Sequence, residues 1–391
     1  MDVNLKLQLL GGLSPAAFMK RHWQKKPLLV RQAWPDVMPP LARPALFDLA
    51  AQDDVESRLV VCEQTAQGAS ERWRVRRGPL PRRALPPVSR PGWTLLVQGL
   101  DLHVQAAHQM LRRFCFVPDA RLDDLMVSWA SDGGGVGPHL DAYDVFLLQV
   151  QGSRRWRVGR VKDPRWVADA PLKRLSQFEP EQEWVLEPGD MLYLPPNWGH
   201  DGVAVGGNCM TCSVGFRVPE ADELARDLLL RLGDEDALPS PLYRDPQQAA
   251  TDAPAEVPPA MLAFAQAAVQ RRLADAQWLA RALGETLTEP KPQVWFQGRG
   301  RDHATRLGSV GAAVRLSART KMLHDPRHIF INGEAFEAAG RDARLMRSLA
   351  DQRRLPAAET ARLSPGAREL LDQWLAAGWV EAEETTQGVP P

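Results

Sequence analysis

The stretch 133–156, GGGVGPHLDAYDVFLLQVQGSRRW, contains the motif from which the fold of this 391-residue chain can be inferred. His139 and Asp141 lie two positions apart, and on a β-strand residues i and i+2 project from the same face. The following segment, 145–150, is apolar except for Gln149 and predicts a buried strand. A carboxylate beside such a strand costs free energy unless it is paired or binds a metal ion. The pattern therefore indicates a metal site that needs a third ligand.

The segment EPGDMLYLPPNWGH at 187–200 offers that ligand. Its Pro-Gly-Asp sequence predicts a turn, 191–194 predicts a short apolar strand, and a proline pair ends the strand just before His200. Two histidines and one carboxylate match the facial triad of non-haem Fe(II) oxygenases. The competing interpretation makes His139 and His200 ordinary polar residues at strand ends.

A cluster of arginines follows the first motif. Gly152-Ser153 is expected to end one strand, and RRWRV at 154–158 is expected to begin the next. Strand alternation then places Arg155 and Arg157 on one face and Arg154 on the other. An arginine that faces inward needs an anion, and a dicarboxylate co-substrate would provide one through bidentate contacts. For Arg155 and Arg157 the favoured interpretation is a solvated cluster.

Composition narrows the class of protein. A content of 44% hydrophobic and 25% charged residues is typical of a soluble globular chain. The net charge of zero gives no global electrostatic argument for nucleic-acid binding. Residues 1–18 do not have the features of a signal peptide, and no run approaches the roughly 18 apolar residues of a membrane span. Four cysteines imply no disulfide framework, and Cys209 and Cys212 lack the second pair of a zinc site. We expect a cytoplasmic protein.

Six segments together resemble one family. The sequence is similar to the JmjC-type 2-oxoglutarate oxygenases, specifically the bacterial ribosomal oxygenases that hydroxylate an arginine of large-subunit ribosomal protein L sixteen. The matching segments are HWQKKPLLV (22–30), RLDDLMVSW (121–129), GGGVGPHLDAYDVFLLQ (133–149), RRWRVG (154–159), EPGDMLYLPPNWGH (187–200) and SVGFR (213–217).

The resemblance implies a fold that is mainly β plus α. A JmjC double-stranded β-helix, a jelly-roll of the cupin kind, would form the catalytic domain at 1–218. A helical dimerisation region would follow at 219–285, and a winged-helix-like domain would occupy 286–391.

The resemblance also implies roles for individual residues. Fe(II) would bind His139, Asp141 and His200, Arg154 would hold the distal carboxylate of 2-oxoglutarate, and dioxygen would take the last metal position. The substrate would be an arginine side chain, hydroxylated at its β-carbon. Asp123 would pair with the substrate guanidinium and Ser213 would help to bind the substrate, although Asp123 could instead be a turn aspartate.

Three other functions stay open. Some relatives hydroxylate a histidine of another ribosomal protein, and they resemble one another in having lysine where this chain has Arg154. A demethylase is a weaker alternative from the wider JmjC group. A third possibility is a non-catalytic cupin-type sensor whose C-terminal domain binds DNA, which the neutral charge disfavours.

The C-terminal half reads as helices followed by a small mixed domain. Apolar positions recur at helical spacing from Ala221 and again over Met261 to Leu283, which predicts two helices that could pack in a homodimer. Val314 to Met322 and His328 to Asn332 predict a hairpin. Residues 291–340 contain eight Lys and Arg against four Asp and Glu, so this region is only mildly basic. Direct nucleic-acid binding is therefore disfavoured. The tail after residue 383 is expected to be disordered.

Overall fold

The structure is a computed structural model that describes residues 2–64, 71–234, 241–246, 248, 250, 255–298 and 312–383. The chain divides into two compact units, Met1–Val218 and Pro219–Pro391. The expected boundary at residue 218 coincides with this division, while the further boundary at residue 285 stays a prediction. Within the described residues, no helix has the length and apolar character needed to cross a membrane.

The first unit is built on a nine-stranded antiparallel sheet. Its strands follow the spatial order β1-β8-β6-β9-β5-β4-β2-β3, and β7 pairs with β6 outside this path. Short helices lie between the strands. The strands are β1 (Leu28–Val30), β2 (Ser57–Gln64), β3 (Glu71–Arg77), β4 (Trp93–Val97), β5 (Leu122–Ala130), β6 (Val145–Arg160), β7 (Gln182–Leu186), β8 (Met191–Leu194) and β9 (Trp198–Phe216), and the helices are α1 (Pro15–Arg21), α2 (Arg43–Leu49) and α3 (Gln105–Leu111).

The long antiparallel pair β6 and β9 is the central strand pair of this unit. It runs from Val145 opposite Gly215 to Arg160 opposite Trp198, with two register shifts between Gln149 and Ser153. Bulges of this kind bend a strand and let it continue in a new direction. The expectation that Gly152-Ser153 ends the strand is therefore wrong, because Gly152 adopts φ +62° and absorbs the bend instead.

Aromatic side chains fill the core of the first unit. Phe18 on α1 packs against Phe146 on β6 and Tyr193 on β8, with ring centroids 5.4 and 4.9 Å apart. In the same core, the ring centroids of Trp93 on β4 and Trp129 on β5 are 4.7 Å apart. All five rings are buried, so the strands that carry the functional residues rest on a rigid support.

In its described residues, the second unit contains helices and two three-stranded sheets, ordered β14-β10-β15 and β11-β12-β13. Its own core is centred on Trp374, Leu349 and Ile331. The elements are α4 (Ala221–Asp234), α5 (Pro259–Leu273), α6 (Ala276–Thr288), β10 (Val314–Leu316), β11 (Met322–His324), β12 (His328–Ile331), β13 (Glu334–Glu337), α7 (Gly340–Gln352), β14 (Arg354–Leu355), α8 (Ala357–Thr360), α9 (Pro365–Ala376) and β15 (Val380–Ala382).

Two expectations for the second unit need correction. The single helix over Met261–Leu283 is two helices, because the Asp275 carboxylate caps α6 by accepting hydrogen bonds from the amides of Gln277 and Trp278. The hairpin forms between β11 and β12, whereas β10 pairs with β14 and β15. The segment 233–259 lies partly, and the tail after residue 383 lies wholly, outside the described residues.

Candidate metal centre and co-substrate site

The two histidines of the predicted triad face each other across an antiparallel bridge. His139 and His200 exchange both backbone hydrogen bonds, each with a nitrogen to oxygen distance of 3.0 Å, and their ring centroids are 4.1 Å apart. His200 belongs to β9, while His139 lies in the extended segment before β6. Backbone pairing therefore fixes the separation of the two imidazoles.

Asp141 completes the triad. Its carboxylate oxygens lie 3.4 Å from Nε2 of His200 and 4.0 Å from Nε2 of His139. The Asn197 amide donates to the Asp141 carbonyl at 2.9 Å, which anchors this residue to the turn before β9. The ligand atoms of the three residues all lie within 4.8 Å of one another. The predicted ligands are thus brought together in one place.

Each imidazole is oriented through its second nitrogen. Nδ1 of His139 lies 2.9 Å from the Gly137 carbonyl, and Nδ1 of His200 lies 3.0 Å from the Trp198 carbonyl. A carbonyl can only accept, so both Nδ1 atoms carry a proton, and Nε2 of each ring is the atom that faces Asp141 and would bind a metal ion. Backbone carbonyls commonly fix metal-binding histidines in this way.

The charge state of the triad suits a cation. Burial and the neighbouring His200 lower the pKa of His139 to about 4. Burial tends to raise the pKa of Asp141, but the hydrogen bond and electrostatic attraction to His200, with contributions from His139 and Tyr143, together outweigh it and the pKa falls to about 2. Burial opposes protonation of His200 too, yet the same contact raises the pKa of that imidazole. At neutral pH, then, His139 is neutral and Asp141 ionised, and a bound metal would replace the hydrogen bond between His200 and Asp141.

The triad opens into a cavity of about 360 Å³. The walls come from β2, β4, β5, β6, β9 and the segment before β6, and Leu172 and Lys173 contribute from the connection between β6 and β7. Acidic, basic, hydroxyl, aromatic and apolar side chains share this lining, among them Asp123, Asp124, Met126, Tyr143, Leu147, Arg154, Trp156, Thr211 and Ser213. A concave site that combines apolar walls with polar groups at fixed positions is typical of a small-molecule pocket.

Arg154 lies in this cavity, on the buried face of β6. It is 4% exposed, whereas Arg155 is exposed, as strand alternation predicts. Its Nε donates to Sγ of Cys209 at 3.4 Å, and its guanidinium lies over the Trp156 ring at 5.8 Å. One terminal nitrogen is buried and has no hydrogen-bond partner among the residues that the structure describes. A buried guanidinium with an unused donor requires an anion to satisfy it.

The predicted substrate residues also line the cavity. Ser213 is buried on β9, beside Thr211 on the same face. Asp123 belongs to β5 and not to a turn, and its carboxylate accepts from Nε of Arg217 at 3.2 Å. The turn alternative for Asp123 is therefore wrong, although its part in substrate binding stays a prediction.

Sequence reasoning missed Asp124. This aspartate lines the same cavity, is 7% exposed, and accepts from the Gly99 amide at 2.7 Å. Neighbouring strand residues ordinarily face opposite ways, but the register of β5 shifts between Leu122 and Leu125. That irregularity lets both aspartates border one cavity, and the only signal in the sequence was the acidic pair itself.

The glycines before the triad allow close backbone packing. A Cβ on Gly134 would lie 2.4 Å from the Trp93 carbonyl oxygen, and a Cβ on Gly135 would lie 2.6 Å from that of Gly202. Backbone hydrogen bonds join Gly133 and Gly134 to Ala204. The segment is therefore fitted against β4 and β9, which fixes the approach of the chain to His139.

The double-stranded β-helix, the histidine and aspartate triad and the buried arginine define the JmjC class of metal-dependent oxygenases. The family described as a JmjC domain matches residues 109–224, and the family described as a ROXA-like winged helix matches residues 271–381. This chain belongs to the bacterial JmjC ribosomal oxygenases.

Individual relatives support this assignment. The chain is 39% identical over 208 residues to "Ribosomal protein uL16 3-hydroxylase" of Escherichia coli (strain K12), a match that covers 53% of each chain. It thus spans about half the length of this curated relative. The crystal structure of Escherichia coli ycfD superposes with a TM-score of 0.78 at 30% identity, covering 94% of this chain and 97% of that one. The ribosomal oxygenase YcfD in complex with cobalt and 2-oxoglutarate gives a TM-score of 0.74 with the same identity and coverage.

Proposed function

We propose that this protein is an Fe(II)- and 2-oxoglutarate-dependent hydroxylase that acts on the β-carbon of an arginine side chain in ribosomal protein uL16. The observation that carries the proposal is the placement of the His139, Asp141 and His200 triad and the unsatisfied guanidinium of Arg154 in one cavity. The relatives supply the substrate class, since the similar Escherichia coli protein is named for hydroxylation of uL16.

The three side chains suit Fe(II). Two imidazoles and one carboxylate form the facial set that binds non-haem iron and leaves coordination positions open for other ligands. Cobalt, which is present in a complex of the similar YcfD, is another divalent ion that imidazole and carboxylate ligands accept. When bound here, iron would supply the oxidative decarboxylation of 2-oxoglutarate and the transfer of one oxygen atom to carbon.

Arg154 suits the distal carboxylate of 2-oxoglutarate. The co-substrate carries two carboxylates, and the one remote from its keto group needs a cationic partner inside the cavity. The guanidinium is 4% exposed and already oriented by Cys209 and Trp156, so little side-chain entropy is lost on binding. The protein's contribution is therefore to bind and orient the co-substrate and to exclude water.

The acidic part of the cavity favours a cationic substrate side chain. A guanidinium that enters a partly dry cavity loses hydration and needs a carboxylate partner. Asp123 is the residue that we propose for this role, with Ser213 as a further polar contact. Asp124 is more buried than Asp123, but both line the same cavity. A substrate guanidinium that enters the cavity would therefore have two carboxylates beside it.

Of the three other candidate functions, the histidine hydroxylase and the DNA-binding sensor each lack a supporting feature, and no feature of the site specifically favours the demethylase. A histidine substrate would not need the paired aspartates, and by resemblance the histidine hydroxylases have lysine at the position of Arg154. A DNA-binding sensor would not need a complete triad beside an unsatisfied arginine. Arg154, Asp123 and Asp124 together favour arginine.

We also propose that the protein works in the cytoplasm as a homodimer. Ribosomal protein substrates are made and assembled there. Exposed apolar side chains on α4 and α5, which include Leu230, Leu262 and Val269, provide a surface that a second copy could cover.

One experiment tests the proposed function directly. The protein is incubated aerobically with Fe(II), 2-oxoglutarate and purified uL16, and peptide mass spectrometry maps any added oxygen. We expect one oxygen atom on an arginine and an equal amount of succinate. Oxygen added to a histidine, or succinate production that uL16 does not stimulate, would contradict the proposal.

A further inference from the structure

The guanidinium of Arg154 is held by a neutral group. Its Nε donates to Sγ of Cys209 at 3.4 Å, and Cys209 is fully buried on β9. Among the described residues, no carboxylate forms an ion pair with Arg154. A thiol is a weak acceptor that orients a donor without neutralising it. The contact therefore fixes the direction of the side chain and leaves its positive charge for a ligand.

The side-chain amide of Gln149 contacts the same thiol. Its Nε2 lies 3.3 Å from Sγ of Cys209, 2.7 Å from the Gln151 carbonyl and 3.0 Å from the Gly152 carbonyl. Its Oε1 accepts from the Thr211 hydroxyl at 2.8 Å. The side chains of Gln149, Cys209 and Thr211 are buried and form one connected network. This network spans the bulge that separates the apolar part of β6 from Arg154.

The network lies between the part of β6 and β9 that packs in the apolar core and the part that carries the site residues. On one side, β6 and β9 carry the apolar core, and on the other side they carry Arg154 and His200. Gln149 ties the carbonyls of the bulge to β9, and Cys209 ties β9 to the guanidinium. Loss of either group would remove a contact that orients the arginine, while the backbone pairing of β6 and β9 does not depend on these side chains.

We propose that Gln149 and Cys209 are positioning residues that set the affinity of Arg154 for the distal carboxylate of 2-oxoglutarate. The inference rests on the proposed function, in which Arg154 binds that carboxylate. Neither residue reaches the reacting atoms. Their effect is on the binding of the co-substrate, and it leaves the rate of the chemical step unchanged.

Four variants test the inference. Cys209→Ala removes the acceptor, Cys209→Ser retains one, and Gln149→Met removes the amide at similar volume. Cys212→Ala is the matched control, because Cys212 is an equally buried thiol of β9 that contacts the apolar core and not the network. The dissociation constant of 2-oxoglutarate is measured calorimetrically on Co(II)-loaded protein without oxygen. KM for 2-oxoglutarate and kcat are measured on the iron enzyme with uL16 as substrate.

We expect Cys209→Ala and Gln149→Met to weaken 2-oxoglutarate binding and to raise its KM about three- to tenfold, as the loss of one or two hydrogen bonds predicts. Cys209→Ser should bind within about twofold of the wild type, and kcat should change by less than about twofold throughout. Cys212→Ala should leave the binding constant unchanged while it lowers the unfolding temperature about as much as Cys209→Ala does.

The outcomes separate this inference from the proposed function. Arg154→Ala is measured beside the other variants, and unchanged 2-oxoglutarate binding in it would contradict the proposed role of the arginine. If Arg154→Ala weakens binding but Cys209→Ala does not, the positioning role alone is wrong. A fall in kcat at constant KM, or equal weakening by Cys212→Ala, would also overturn it. If Gln149→Met fails to fold, the result for Cys209→Ala alone decides whether the positioning role is correct.

Discussion

Asp141 brings the one negative charge to the proposed metal triad. It lies between two imidazoles whose Nε2 atoms are turned toward it by backbone carbonyls. Because a divalent cation needs this charge, removal of the carboxylate should affect the metal before it affects the fold.

We predict that Asp141→Ala lowers Fe(II) or Co(II) affinity at least about a hundredfold and abolishes uL16-dependent succinate formation. The far-ultraviolet circular dichroism spectrum should stay that of the wild type, since Asp141 makes its structural contact through its backbone carbonyl. Asp163→Ala, at an exposed aspartate in the connection after β6, is the control and should retain activity. Full peptide-dependent turnover by the Asp141 variant would contradict the metal assignment.

The two cavity aspartates can be separated by their existing contacts. Asp123 already accepts from Arg217, whereas the buried Asp124 accepts from the Gly99 amide. We predict that Asp123→Ala lowers kcat/KM for uL16 about tenfold or more while substrate-independent 2-oxoglutarate turnover stays within about twofold. Asp124→Asn should have a similar selective effect if both carboxylates contact the guanidinium.

Parallel assays of coupled and uncoupled turnover decide between binding and structural roles. Equal loss in both assays, together with a lower unfolding temperature, would show that Asp123 serves β5 through Arg217 and does not bind the substrate. Arg217→Ala is a useful companion, since it breaks the same ion pair and leaves the Asp123 carboxylate in the cavity.

At the residue scale, the sequence was informative wherever strand alternation is regular. The inward face of Arg154 followed from a period of two. His139 and Asp141 also project into one site, but they lie in the segment before β6 and not in a strand. The positions of Asp124 and of the network around Cys209 could not be predicted in this way, because each depends on a bulge. A bulge changes which face a residue occupies, and one sequence carries little information about where it will fall.

At the scale of elements, Gly152 is the point where β6 bends and continues. Its φ of +62° is in the left-handed region, and a Cβ there would lie 3.0 Å from the Asn208 carbonyl oxygen. The sequence signal, Gly followed by Ser, is the same for a turn as for a bend within a strand. Only the pairing of β6 with β9 on both sides of the bulge distinguishes them.

We predict that Gly152→Ala destabilises the first unit by about 1–3 kcal/mol and weakens 2-oxoglutarate binding, because the altered bulge moves Arg154. Metal affinity should change little. Gly206→Ala is a matched control, since Gly206 also has a positive φ of +79° but has open space around its Cβ position. It should show the backbone strain without the loss of co-substrate affinity. Equal effects of both variants on 2-oxoglutarate binding would contradict the role of the bulge.

The break between α5 and α6 shows another limit of periodicity. Apolar residues continue at helical spacing from Met261 to Leu283, so the pattern predicts one helix. The capping ability of Asp275 competes with that pattern and begins a new helix at Ala276. An aspartate within a helical pattern is ambiguous, because an exposed mid-helix aspartate looks the same in sequence.

At the scale of the whole molecule, the order of catalytic domain, helices and winged-helix-like domain was predicted from six segments, all within residues 22–217. The second unit has few motifs of its own, and its expected fold came mainly through the resemblance. The separate match of a winged-helix family to residues 271–381 supports that part of the chain independently.

The helices α4 and α5 expose apolar side chains, and burial of this surface by a second copy would stabilise a dimer. Leu262 and Val269 are seven positions apart on α5, which places them on one face, and they are 56% and 49% exposed. A charge at each position should disrupt an apolar interface, since an unpaired buried carboxylate costs several kcal/mol.

We predict that the double variant Leu262→Glu and Val269→Glu sediments as a monomer in analytical ultracentrifugation at a concentration where the wild type is dimeric. Val88→Glu, at a similarly exposed valine of the first unit, is the control and should leave the dimer intact. The double variant should still bind 2-oxoglutarate, because Arg154 and the metal triad belong to the first unit. A dimer that survives both charges would exclude this face of α5 from the interface, and a monomeric wild type would overturn the proposed assembly.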